Sequence, residues 1–301
     1  MQNLIRPALI FVTLFLHISG QAVALEDLEH ATLQLDELQF DLLGGLAESV
    51  VSVKVYEHEP EVAPTSEPVA RLQRTASGTT EQRKMGTSPV DTNSATLVRH
   101  YDTDGLIVQE YTVDSHGDTQ QRKAFLYDED GRIQQVTSYQ GHDAVESAHI
   151  FLYAENLLGE VAVYEADGRP RWRRVYEYPN EHVVRWSLLH ADGRLQQAGE
   201  LIYGAEKVLQ EHRSLDENNT LTERRTFEYD NRGNLIRRVI EDGNGEPVSV
   251  TRYRYTYDER GTWTRVDAFV VETRRERPFQ VVRNAFTREV NYDSSNEREL
   301  F

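Results

Sequence analysis

The sequence contains no cysteine and only two methionines in 301 residues. Without cysteine there can be no disulfide, thiol nucleophile, thiolate-ligated metal or lipid-modified cysteine. Long apolar runs are scarce as well. The longest, Ala8 to Ile18, covers about eleven residues, too few to cross a bilayer as a helix. Positive charge is in deficit, with 33 Lys plus Arg against 50 Asp plus Glu and a net charge of −17. That balance argues against a broad surface for phosphate backbones, so nucleic acid is not an expected partner. Catalytic signatures are missing: there is no Gly-x-Ser-x-Gly elbow, no His-Glu-x-x-His and no Gly-x-x-x-x-Gly-Lys. The Gly243-x-Gly245 pair follows an acidic turn instead of opening a helix. Among so many carboxylates, spacing singles out no glycosidase-like pair. The expectation is a protein that is not an enzyme and holds no cofactor and no metal.

What is present begins with a leader. Residues 1–24 carry Arg6, the short apolar run, and the small-x-small sequence Ala22-Val23-Ala24. This is the pattern of a secretory signal peptide cut after Ala24, and it predicts a periplasmic or secreted protein with no transmembrane helix after cleavage. Residues 25–58 form an N-terminal segment. Leu25, Leu28, Leu35, Leu38 and Leu42 suit a short amphipathic helix closed by Gly44-Gly45, and Val51, Val53 and Val55 alternate with polar residues as a half-buried strand does. Residues 59–94 lose periodicity and fill with Pro, Ser, Thr, Gly and Glu, which predicts a flexible linker.

From residue 95 the chain becomes periodic. Tyr101, Tyr127, Tyr153, Tyr178, Tyr203, Tyr229 and Tyr255 follow at intervals of 26, 26, 25, 25, 26 and 26. Between them lie Asp104-Gly105, Asp130-Gly131, Asp167-Gly168, Asp192-Gly193, Arg232-Gly233 and Arg260-Gly261, with a second set of turn signals at Gly117, Gly141, Asn218 and Gly243-Asn244-Gly245. Each period therefore predicts two strands and two turns. Aromatic residues two apart, such as Phe125/Tyr127, Phe227/Tyr229 and Tyr253/Tyr255/Tyr257, share a sheet face, and Arg, Glu, Gln and Thr fill the other. The fold class is all-β: tandem hairpins of about 26 residues over 95–292, in a continuous sheet for which open, curled and closed forms all remain, with a tail at 293–301. Curling or closure would cover the aromatic face and limit open edges.

The segments Tyr127-Asp128-Glu129-Asp130-Gly131-Arg132-Ile133, Tyr229-Asp230-Asn231-Arg232-Gly233-Asn234-Leu235 and Tyr257-Asp258-Glu259-Arg260-Gly261-Thr262-Trp263 resemble the YD repeats of the RHS family, as does Tyr101-Asp102-Thr103-Asp104-Gly105-Leu106. The motif recurs without its leading Tyr-Asp at Glu165–Arg169 and His190–Leu195. The resemblance implies hairpin building units, which long arrays assemble into a shell around a toxic C-terminal domain and which other exported members carry in cell-surface or carbohydrate-associated roles. Here there are about seven periods and no recognisable toxin domain after Tyr292. The family's motifs supply no catalytic residues.

Candidate sites compete with plainer readings. His116 and His142 sit at equivalent repeat positions, and Asp102/Asp104 and Asp128/Asp130 resemble the start of a calcium loop; the residues after each Gly do not complete one. Solvated, turn-capping roles are expected for all of them. The clusters Arg171-Trp172-Arg173-Arg174, Arg237-Arg238 and Arg274-Arg275-Glu276-Arg277 are expected to pair with carboxylates across strands. Trp172, Trp186 and Trp263 are the candidate ligand contacts, by stacking on a sugar, with packing between strands as the alternative. The expected role is a binding or scaffolding module for a protein or glycan of the cell envelope. An accessory of a secreted toxin or surface system, or an envelope polysaccharide-acting enzyme, are the alternatives.

Overall fold

The computed structural model describes residues 50–58, 70–75, 78–85, 95–205, 207–274 and 277–292. The expected signal peptide, the helix expected within 25–42 and the tail 293–301 lie outside the described residues. Among those described there are eighteen strands and no helix. They are β1 (Val50–His58), β2 (Ala70–Thr75), β3 (Gly78–Met85), β4 (Ala95–Tyr101), β5 (Ile107–Val113), β6 (Thr119–Tyr127), β7 (Ile133–Gln140), β8 (Ala144–Ala154) and β9 (Leu157–Glu165). The second half comprises β10 (Pro170–Asn180), β11 (Val183–His190), β12 (Leu195–Tyr203), β13 (Leu209–Leu215), β14 (Leu221–Tyr229), β15 (Leu235–Asp242), β16 (Pro247–Tyr257), β17 (Trp263–Arg274) and β18 (Arg277–Tyr292).

Each strand pairs antiparallel with its neighbours in sequence, and β1 also pairs with β18, from Val50 opposite Tyr292 to His58 opposite Ala285. The sheet is therefore not an open or merely curled one: it closes on itself as an up-and-down barrel. Closure removes both free edges, which is the physical gain over an open array of the same hairpins.

That closure also corrects the reading of 59–94 as a flexible linker. Ala70–Thr75 and Gly78–Met85 are strands, joined to β1 and β4 by regular ladders. Their composition is poor in apolar residues because only one face is buried. Ala70, Leu72 and Glu81 point inward at 1–2% exposure, while Arg71 and Gln82 are exposed. The N-terminal strand is likewise part of the barrel, with Val53 and Val55 buried beside Ala70, Leu72, Trp263 and Val266.

The turns explain the Asp-Gly spacing. In the loop after β4, Asp102 Oδ1 accepts hydrogen bonds from the backbone N–H groups of Asp104 and Leu106, and Gly105 N–H donates to the Asp102 carbonyl. Gly105 sits at φ 83°, the left-handed region that a side chain disfavours. The ladder then shifts register between His100 and Tyr101. This is a type I turn followed by a bulge. The same Asp-centred bonding recurs at Asp114, Asp128, Asp216, Asp230, Asp242 and Asp258.

The periodic tyrosines have a distinct task. The ladder between β5 and β6 stops at Gln109–Ala124, and the hairpin would splay beyond it. There Tyr127 Oη donates to the Ile107 carbonyl at 2.9 Å, bridging the hairpin's open mouth. Tyr153 to Ile133, Tyr178 to Leu158 and Tyr255 to Leu235 repeat the bond at 2.8–2.9 Å, each reaching back twenty residues. Replacing Tyr153 by Phe keeps the ring and deletes this closure. It is expected to lower stability by about 1–2 kcal/mol in urea unfolding, the cost of losing a side-chain hydrogen bond to a buried carbonyl.

The apolar interior follows from the same period. After the first five periodic tyrosines, the residue five or six positions on lies at the start of the next strand: Ile107, Ile133, Leu158, Val184 and Leu209 are each buried to 5% or less, and Ile133 and Val184 are sealed completely. Two core clusters result, one over β7–β14 and the other joining β1, β2, β4, β5 and β17, with Phe125 packed against both. An 18-strand barrel is wide enough for an aqueous lumen; here the inward side chains of these clusters pack against one another.

Candidate functional site

Outward residues read very differently. From β10 to β15 one cross-strand row runs Glu177, Arg185, Glu200, Arg213, Arg224, Glu241. Arg185 Nε donates to Glu200 at 2.9 Å, Arg213 to Glu200 at 3.1 Å, and Arg224 to Glu211 at 2.9 Å. Burial alone would raise the Glu211 carboxyl, but Arg224 and Arg213 hold it below the ordinary range. Surface pairs of this kind add little stability one by one. Together they lay a charged stripe across the outer face of β11–β15.

Inside, polar groups collect in two places on the core-facing side of the strands. The first is a relay across β3–β6. Arg99, fully buried, donates from Nε to Glu110 at 2.7 Å and lies 3.7 Å from Glu81. Lys123 reaches Glu110 at 2.7 Å, and Tyr101 Oη donates to Glu81 at 2.8 Å. Burial raises the Glu110 carboxyl, but Lys123 and Arg99 overcome this and bring it down to about 2. The same two carboxylates hold the Arg99 guanidinium charged despite its burial. Sequence reasoning missed this relay, because Glu81 lies in the segment read as linker. Its only trace is Arg99 at an inward parity position, alternating with Leu97 and Tyr101.

The second is an aromatic and basic cluster on β8–β14. Trp172 and Arg174 alternate inward on β10, Trp186 follows on β11, and His212 lies on β13. The Arg174 guanidinium stands 4.8 Å from the Trp186 ring, and Trp186 is 6.2 Å from His212. His149 meets Trp172 edge-on at 5.8 Å. Burial, helped by Arg225 and Arg174, pushes the His212 imidazole down to about 4; burial with Lys123 and Arg171 does the same to His149. Both rings are neutral at physiological pH. Trp186 Nε1, His149 Nδ1 and both His212 nitrogens are buried without a hydrogen-bond partner among the described residues.

Trp186 lies flat on Gly199 of the adjacent strand. A Cβ at Gly199 would stand 2.5 Å from the indole and 2.4 Å from the Arg213 carbonyl. Gly199→Ala is accordingly expected to destabilise by about 3 kcal/mol, with a red-shifted tryptophan emission as the ring is displaced.

The three candidate tryptophans thus part company. Trp263, 2% exposed, takes the strand-opening core position under the Arg288 guanidinium at 3.3 Å. Trp186 and Trp172 share the inward cluster, and Trp172 keeps partial exposure opposite His190 at the barrel rim. His116 and His142 lie in exposed turns, and Asp102 and Asp128 spend an oxygen on turn amides. Of the basic clusters, Arg173 pairs with Glu160 and Arg237 with Glu228 on neighbouring strands.

No protein-family model matches the chain, and no curated protein does. Among solved structures it is similar to a porin-like protein from Bacteroides uniformis, at 12% identity over 82% of this chain and 99% of that one, with a TM-score of 0.40. A porin-like protein from Bacteroides vulgatus is 13% identical over 71% and 97%, with a TM-score of 0.36. TcdB2-TccC3 without its hypervariable C-terminal region is 12% identical over 76% of this chain and 14% of that one, with a TM-score of 0.25. Likenesses this distant carry no argument about what the chain does.

Proposed function

We propose that this protein is an exported, non-catalytic binding or scaffolding module, built from YD-type hairpins and working in the periplasm or outside the cell. The observation that carries the reading is the ion-paired outer row from Arg185 to Glu241 set against a packed aromatic interior. Such a barrel belongs in water, and it offers a rigid polar wall to a protein or glycan of the envelope. The repeat motif supports the hairpin reading independently, since its Tyr, Asp and Gly each have the structural task described above.

The test is in-cell crosslinking of the tagged, exported protein, followed by capture and mass spectrometry, beside the charge-reversed variant Arg185→Glu/Arg213→Glu. One dominant envelope partner that the folded variant loses is the expected result. A partner that is a secreted effector from the same cells would instead favour an accessory role in a toxin system. Recovery of the protein only in detergent-extracted membrane, or no partner at native expression, would overturn the proposal.

A further inference from the structure

We propose that the outer face of β5–β9 is a self-association surface, on which a second copy of this chain docks about a two-fold axis. Among the described residues six large apolar side chains are exposed, and five of them lie on these strands: Val108, Leu126, Val145, Leu152 and Leu157, at 40–53% exposure. Single exposed leucines are ordinary, whereas a group on neighbouring strands is informative. Register brings most of them together. Leu126 opposes Gln135, and Gln135 opposes Ile150, which shares a face with Leu152 two residues on. Val108 stands with Leu126 at the mouth of the β5–β6 hairpin, beyond the last pair, Gln109–Ala124. Beside this ridge runs a second row, short at its centre: Gln109, Ala124, Thr137, Ala148 and Tyr164 oppose one another in turn from β5 to β9.

Charge selects the occupant. At a net charge of −17, two copies of this chain repel one another at long range. An isologous contact also sets a face against its own image, so like charges there would meet. Neither of these two rows carries a charged side chain. In the adjoining row Arg122 opposes Tyr139, lies over its ring at 4.0 Å and donates to the His142 carbonyl. Covering the face strands little: Gln135 Nε2 donates to Thr137 Oγ1 at 2.8 Å within it. The two rows are also complementary in size. A two-fold axis between them sets the Leu126 and Ile150 ridge of one copy over the short Ala124, Thr137 and Ala148 of the other. Five strands measure only about 20 Å across. That is small for a permanent interface, so the association is reversible and concentration-dependent.

The test is sedimentation velocity of the purified, detergent-free protein from about 1 μM to about 500 μM. A reversible monomer–dimer shift is expected. It should weaken about tenfold or more in Leu126→Glu/Leu152→Glu, which sets like charges face to face at exposed positions; native circular dichroism of the variant checks its fold. A monomer throughout the range would overturn the proposal. So would a dimer that this variant leaves unchanged, or one that Arg185→Glu/Arg213→Glu abolishes instead. Flotation with phosphatidylcholine vesicles that the Leu126→Glu/Leu152→Glu variant loses, without a dimer in solution, would assign the face to lipid and overturn it as well. The inference goes beyond the module reading and fails separately from it: a strict monomer leaves a captured envelope partner standing, and an empty capture leaves the dimer standing.

Discussion

Replacing Arg99 by Met is expected to cost about 3–5 kcal/mol, the range for removing one partner of a buried ion pair. Arg99 is the cation between two buried carboxylates, and Lys123 bonds one of them, Glu110. Without the guanidinium, Glu81 keeps the Tyr101 hydroxyl at 2.8 Å but loses the positive charge 3.7 Å away, at a position only 1% exposed. The prediction has an internal check. Arg99→Met combined with Glu81→Leu removes that buried charge and leaves Glu110 with Lys123, so it should recover a large part of the loss in urea unfolding. If the double variant is as unstable as the single one, packing around Arg99 and not the Glu81 charge sets the cost.

A second large effect concerns pH. His149 and His212 are held near 4 in the folded protein, mainly by burial, against about 6.5 in an unfolded chain. Their folded values are depressed, so the unfolded state takes up protons first as pH falls. Stability is therefore full above about pH 6.5 and is lost as the pH drops towards 4. Between about pH 7 and pH 5 the loss comes to about 2 kcal/mol per histidine. Glu110, at about 2, contributes in the same direction only below the ordinary carboxylate range. His149→Leu/His212→Leu should flatten the urea midpoint between pH 7 and pH 5, with the remaining acid loss confined to lower pH. An unchanged slope in the double variant would mean that neither imidazole is neutral in the fold.

Much of this architecture was legible in the sequence, for a definable reason. A tyrosine that must reach one carbonyl twenty residues back, followed by an Asp-capped turn with a left-handed Gly, admits little variation, as at Tyr127, Asp128 and Gly131. What was not legible is contact between distant segments. The pairing of Lys54 with Glu289 leaves no periodic mark, and Ala70 and Leu72 are too few apolar residues to announce a strand against a Ser- and Thr-rich background. The candidate site was half visible. Trp172 and Trp186 stood out by residue type, whereas His212 is an ordinary surface-looking residue until the bulge after Leu209 turns it inward.

Barrel closure rests on the β1–β18 seam, and the absence of native cysteine allows a direct test. Lys54 of β1 and Glu289 of β18 are opposed and both point outward. Opposed residues of an antiparallel pair bring Cα atoms to about 4.5–5.5 Å, within reach of a disulfide. Lys54→Cys/Glu289→Cys, oxidised as detergent-free protein, should form an intramolecular disulfide, while Lys54→Cys paired with Asp192→Cys should not. Free thiols in the first variant under the same oxidation would contradict a β1–β18 seam and return the sheet to an open array.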